Sequence, residues 1–176
     1  MNTVPGPRKP LVLTGGPAVG KTTCGRALAA EVDRGAYLDV DDLRQLVVSG
    51  AAAPWEGAAG LAQQALGATN ACALAANFRA AGFDVVIADV LTPATTQIYR
   101  DSLPGCLVVH LRISLEHARQ RAATRTVYLT DDEFELLHRQ DAADPPGADA
   151  VLDVDDLTLD QQLRQIRQVW RKRSAV

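Results

Sequence analysis

The chain is short of aromatics, of cysteine and of basic charge, and each shortage excludes something. Phe, Trp and Tyr together make only 5% of the 176 residues, so a core has to come from the Ala, Leu and Val that dominate its 47% hydrophobic content. Cys24, Cys72 and Cys106 are odd in number, far apart and set in helix-like or strand-like surroundings. They exclude a disulfide framework and read as small buried thiols in a reducing cytoplasm. A net charge of −3 argues against a general nucleic-acid binder. The most apolar stretch, 61–76, is broken by Gln63, Gln64, Thr69 and Asn70, too polar and too short to cross a bilayer. The opening MNTVPGPRKP lacks the apolar segment of a secretory signal. These shortages fit a cytoplasmic chain with no membrane partner: a flexible tail over residues 1–9, then one domain over 10–176. Its expected assembly is a monomer or a homodimer.

What the chain does have is LVLTGGPAVGKTT, residues 11–23. A short apolar run leads into Gly15-x4-Gly20-Lys21-Thr22, and a helical pattern follows from Gly20 to about Asp33. Strand, glycine-rich turn and helix in that order form the context that makes the motif a phosphate-binding loop. Gly15, Gly16 and Gly20 permit dihedrals that a Cβ would forbid, so N–H groups across Pro17, Ala18 and Val19 can turn inward around phosphate oxygens. The following helix points its positive end at the same anion. Lys21 would reach the β- and γ-phosphates, Thr22 would hold Mg²⁺ brought by the nucleotide, and Thr23 continues the binding segment. The expected ligand is a nucleoside triphosphate. ATP is favoured because no guanine-reading Asn-Lys-x-Asp motif is present.

Strand-like runs then alternate with helical ones. Strands are expected at 11–13, 36–40, 84–88, 106–111 and 150–154, and helices at 20–33, 41–48, 61–81, 93–103, 114–124, 130–140 and 160–173. The stretch 49–60, rich in Gly, Ala and Pro, reads as a loop containing Trp55. Thr130 and Glu133 have the spacing of a capping box. Strands apolar on both faces and separated by helices imply an α/β fold of the P-loop NTPase type, a doubly wound parallel five-stranded sheet with helices on both faces.

Functional groups gather at the carboxyl edge of such a sheet. Asp39, Asp41 and Asp42 follow the second strand, Asp89 closes the apolar DVVIAD run as a Walker-B acid would, and Asp153 ends the last strand. Asp89 is the expected partner of Mg²⁺, through water or from behind its direct ligands. A carboxylate at 39 or 41 can accept the proton of an attacking hydroxyl. Arg44, three residues after Asp41 on an opening helix, shares its face and can clamp an anionic or polar acceptor. Trp55 is a second candidate for the acceptor pocket. Arg121 and Arg125, four apart, can close over the triphosphate and neutralise developing charge. His110 reads as a core histidine, and His117 and His138 as residues of exposed helix faces.

The succession GGPAVGKTT, LDVDDLR, VVIADVLTP and LEHARQRAATR, spanning about residues 11–169, resembles the small P-loop kinases. In particular it resembles the zeta-toxin and chloramphenicol-phosphotransferase-like group of AAA-type domains, relatives of gluconate, adenylylsulfate and polynucleotide 5′-hydroxyl kinases. The resemblance implies that Asp41 is the general base, Arg44 contacts the acceptor, Arg121 and Arg125 form the lid, and residues 155–157 lie near adenine. It implies an enzyme moving the γ-phosphoryl group of ATP to a hydroxyl of a small molecule, an antibiotic or a metabolite. The chain departs from shikimate kinases, which carry Gly-Gly after the third strand, and from adenylylsulfate kinases, which have Gly-Asp-Asn where this chain has Val-Asp-Asp. An ATP-binding regulatory switch and a polynucleotide 5′-hydroxyl kinase are the alternative readings.

Overall fold

Strands that carry apolar residues on both faces need cover on both, and the chain supplies it in two layers. The computed structural model describes residues 6–123 and 129–174. Its sheet contains β1 (Leu11–Thr14), β2 (Gly35–Asp39), β3 (Asp84–Ala88), β4 (Leu107–Arg112) and β5 (Ala150–Asp153). All pairings are parallel and the order is β2-β3-β1-β4-β5. The helices are α1 (Lys21–Ala30), α2 (Val40–Arg44), α3 (Gly57–Ala80), α4 (Pro93–Ser102), α5 (Leu115–Ala122), α6 (Asp131–Ala143) and α7 (Leu159–Ser174). The doubly wound parallel sheet is thus as the alternating pattern predicts.

Alternation along each strand divides the core. Val12, Leu38, Val85, Ile87 and Val108 meet Ala68, Ala71, Ala75 and Tyr99 of α3 and α4. Leu11, Leu13, Val86, Val109 and Leu111 face Cys24, Leu28, Ile166 and Trp170 of α1 and α7. Alanines on α3 let that helix lie close to the sheet, which is how a chain poor in aromatics still packs densely. All three cysteines are buried free thiols.

Four boundaries move for physical reasons. The second strand ends at Asp39, one residue early, because Asp39 caps α2 by accepting from the Asp41 N–H at 3.2 Å. Helix α2 stops at Arg44 rather than Val48; Leu46 and Val48 are exposed and offer no apolar face for another turn. Helix α3 starts at Gly57, inside the expected loop, because Gly60 docks against the Ala53 carbonyl, where a Cβ would lie 2.1 Å away. The first nine residues are not all a free tail. The Arg8 N–H donates to Asp84 Oδ1 at 2.6 Å, and the Lys9 carbonyl accepts from Trp170 Nε1 at 2.8 Å. The capping box of α6, Thr130 with Glu133, forms as expected.

The turn out of β1 passes so close to β4 that a Cβ on Gly15 would sit 2.1 Å from the Leu111 carbonyl oxygen. Neither backbone can yield, and Gly15 also holds φ at +136°. Gly15→Ala is therefore expected to cost about 2 kcal/mol or more and to lower Tm by roughly 5 °C. Calorimetry checks this; an unchanged Tm would mean that the turn relaxes freely.

Candidate active site

The phosphate-binding loop is held in a conformation that its sequence only partly favours. Gly15, Ala18 and Gly20 have positive φ, at 136°, 61° and 101°. Gly16, expected to supply such freedom, is not among the positive-φ glycines. Its missing side chain serves proximity instead: a Cβ there would lie 2.7 Å from the His138 ring. The left-handed position falls on Ala18, a strained choice for a residue with a Cβ, and one stabilised by burial against Ala118 and Phe134. Helix α1 opens at Gly20 with no side-chain cap and no acid in its first turn, so its first N–H groups stay available to an anion. Thr23 lies exposed in that turn. Lys21 Nζ donates to the Gly15 and Gly16 carbonyls at 2.6 and 3.0 Å, folded back along the loop. Burial lowers the Lys21 pKa, opposed by Asp41, Asp141, Asp89 and Asp39.

Three residues brace this loop from outside. His138, expected on an exposed helix face, is buried with Nε2 3.1 Å from the Pro17 carbonyl. A carbonyl can only accept, so Nε2 carries the proton. Burial lowers the pKa of this histidine, which keeps it neutral. Gln162 of α7, fully buried, donates to the Val19 carbonyl at 2.8 Å. Arg121, expected over the phosphates, instead reaches the back of the loop. It donates to Val19 O at 3.3 Å, Gln162 Oε1 at 3.2 Å, Val154 O at 2.7 Å and Leu157 O at 3.1 Å. It ties the loop to the segment after β5. Arg125 lies outside the described residues. Neither His138 nor Gln162 has a motif that would have marked it; only α6 and α7 folding back onto the loop reveals them. His110 pairs with Asp141 of α6 at 3.0 Å, a satisfied core histidine as expected.

The acids at the sheet edge divide their tasks. Asp39 Oδ2 accepts from the Thr22 hydroxyl at 3.1 Å and from the Tyr37 hydroxyl at 2.8 Å. Asp89, expected to partner Mg²⁺ through water or from behind its direct ligands, is tied to Arg44 and Tyr99. It is only 2% exposed; Oδ1 accepts from Arg44 at 2.7 Å and from the Val90 N–H at 2.8 Å, and Oδ2 from the Tyr99 hydroxyl at 2.9 Å. These contacts aim Arg44, and it is Asp39 that meets Thr22. Burial pushes its carboxyl up to about 6, against the pull of Arg44 and Tyr99. The other arm of Arg44 donates to Asp41 Oδ1 at 2.7 Å. Burial alone would lower the Arg44 pKa, but Asp89 and Asp41 more than offset it. Arg44 can lie flat because Gly67 of α3 faces it, where a Cβ would be 3.1 Å from Nε. Asp41 itself is 67% exposed at its side chain. Asp153 lies elsewhere, forked by Arg112 at 2.8 Å on the surface.

These groups line one cleft of about 850 Å³. Its lining includes Pro17–Thr22 of the loop, Asp39, Asp41, Arg44 and Asp89 of the sheet edge, and Trp55, Gln63, Gln64 and Val90, while Leu129 and Leu137 join it from the side of the loop, Leu129 packing with Ala18. Thr22 and Asp39 offer hard oxygen donors of the kind that hold Mg²⁺ together with nucleotide phosphates. Among the described residues, no group of three or more His, Cys, Asp or Glu could hold a metal by protein ligands alone.

No family model matches the sequence, and neither does any curated protein. Solved structures do match in fold. A sugar kinase from Janibacter sp. HTCC2649 aligns with TM-score 0.73 at 18% identity, covering 96% of this chain and 96% of that one. Shikimate kinase from Bacteroides thetaiotaomicron gives 0.64 at 19% identity, over 93% and 97%. The Mycobacterium tuberculosis APS kinase CysC, solved with AMPPNP and APS, gives 0.61 at 18% identity, over 94% and 99%. The chain therefore has the fold of small P-loop kinases.

If His138 is what confines Gly16, the two positions are coupled. Gly16→Ala should weaken ATP binding by about tenfold, and adding His138→Ala should recover much of that loss. Calorimetric titration of both variants checks it; additive losses would disprove the contact.

Proposed function

We propose that this protein transfers the γ-phosphoryl group of ATP to a hydroxyl of a small molecule. The observation that carries the reading is a single cleft lined by a braced phosphate loop, with a carboxylate–arginine pair, Asp41 and Arg44, beside it. A nucleotide switch has no use for an exposed carboxylate held beside the loop by an arginine anchored in the core. The acidic net charge disfavours a polynucleotide acceptor.

Asp41 suits the base better than Asp39. Asp39 already accepts from Thr22, Tyr37 and the Asp41 N–H, whereas Asp41 accepts from Arg44 and is open to the cleft. The acceptor hydroxyl gives its proton to Asp41 as its oxygen bonds to the γ-phosphorus. The bond from that phosphorus to the β–γ bridging oxygen breaks, and ADP leaves with the electron pair. Lys21 leaves its loop carbonyls to contact phosphate, and loop N–H groups with the α1 N-terminus hold the remaining charge. Mg²⁺, when bound with the nucleotide, neutralises phosphate charge, and Thr22 and Asp39 are the residues that would hold it. Asp89 and Tyr99 fix Arg44, and Arg44 in turn orients Asp41 and the acceptor.

Asp41→Asn is expected to leave ATP affinity near normal while cutting transfer by about 10² or more. Lys21→Ala should weaken nucleotide binding and transfer together. Measuring phosphorylated product alongside ATP affinity separates the two, and near-normal transfer in Asp41→Asn would remove it as base. Transfer should also fall as the pH is lowered through about 6, where Asp89 gains a proton and stops anchoring Arg44. In Asp89→Asn this limb of the kcat/KM profile should vanish on a lower baseline. A limb that persists there belongs to another group.

A further inference from the structure

The cleft contains a polar group with nothing to bind among the described residues. Gln64, on the third turn of α3, is 8% exposed, and its amide makes no hydrogen bond among the described residues. Its neighbour Gln63 is fully employed, donating to the Gly50 carbonyl at 2.6 Å and accepting from the Ala52 N–H at 3.0 Å. Gln64 instead lines the cleft, one turn of α3 before Gly67, which faces Arg44, and its amide is not shut off from solvent. An amide so nearly buried, with donors and acceptor not used by the protein, is placed to bond a ligand that enters the cleft.

The charges around it narrow the ligand. Lys21 and Arg44 are the cations among the described residues lining the cleft, against Asp39, Asp41 and Asp89. Lys21 belongs to the phosphate loop. The two terminal nitrogens of Arg44 are each 2.7 Å from a carboxylate oxygen, one of Asp41 and one of Asp89. Among the described residues, an anionic acceptor would meet those carboxylates with no cation whose terminal nitrogens are free of a carboxylate beyond Lys21. A hydroxyl, which donates and accepts at once, matches an amide that does both. Trp55 and Val90 supply apolar surface for the face of a ring.

Resting on the kinase reading above, we propose that Gln64 is a specificity-determining residue that hydrogen-bonds an uncharged polyhydroxyl acceptor, a neutral sugar or cyclitol, and that carboxylate-bearing acceptors are excluded.

The test measures binding and transfer separately in the full chain. With Mg²⁺ and AMPPNP present, calorimetry compares D-glucose, D-glucitol and myo-inositol with the charged counterparts D-glucuronate and D-gluconate. With ATP, mass spectrometry looks for their phosphate esters. A neutral compound should bind about tenfold or more tighter than its charged counterpart. Gln64→Met, close in shape and without the amide, should weaken that binding by about tenfold and leave AMPPNP affinity unchanged. Gln64→Arg should shift the preference toward the carboxylates. Equal or tighter binding of a carboxylate by the native chain overturns the proposal, as does Gln64→Met binding the neutral compound like the native chain. Binding of neither class also overturns it, while transfer to another hydroxyl compound would still uphold the kinase reading. A neutral ligand that depends on Gln64 but is never phosphorylated upholds the recognition role and sinks the kinase.

Discussion

Everything at the cleft depends on keeping the backbone of Gly15–Gly20 turned inward although part of it is strained. Ala18 with φ of 61° is a conformation that an L-residue leaves unless its surroundings hold it. The surroundings do so from several sides. Ala118 and Phe134 bury Ala18, His138 bonds the Pro17 carbonyl, and Gln162 and Arg121 converge on the Val19 carbonyl. The Pro17 and Val19 carbonyls are taken up by these donors, which leaves loop N–H groups for an anion. A loop pre-shaped in this way loses little entropy when a triphosphate arrives.

The second organising feature is a chain of charge running from the core to the cleft. Tyr99 and Asp89 are buried, Arg44 spans the boundary, and Asp41 reaches the open space. Each link fixes the next, so Asp41, on a five-residue helix, is positioned by the interior of the sheet rather than by its own short element. Such a ladder is costly to bury unless every member is paired. Here the carboxylates are paired, and Arg44 Nε is left buried without a partner. One chemical consequence is that Arg44, although in the cleft, is already neutralised from both sides.

Much of the fold was legible in the sequence because it rests on local signals. Apolar runs such as DVVIA can only be buried strands, Thr130 with Glu133 can only start a helix, and the glycine spacing around Lys21 has one familiar use. The start of α3 was not legible: an Ala- and Gly-rich segment looks like a loop until Gly60 meets the Ala53 carbonyl. Nor was His138, since helical periodicity cannot say that a face will be covered by a loop more than a hundred positions away. The partners of Asp89 were hidden for the same reason. A strand-end acid says nothing of its neighbours, and only the fold brings Arg44 and Tyr99 to it.

By itself the sequence determined the order of strands and helices, the phosphate-binding loop, and the presence of Asp41 and Arg44 next to it. Those follow from backbone and side-chain chemistry within a few residues. The tertiary structure decided which acid stands beside Thr22, where Arg121 points, what braces the loop, and that Gln64 lines the cleft with no hydrogen-bond partner among the described residues. Each of those is a contact between segments far apart in the chain. Burial and hydrogen-bond saturation, which decide what a polar group is free to do, exist only once those segments have packed.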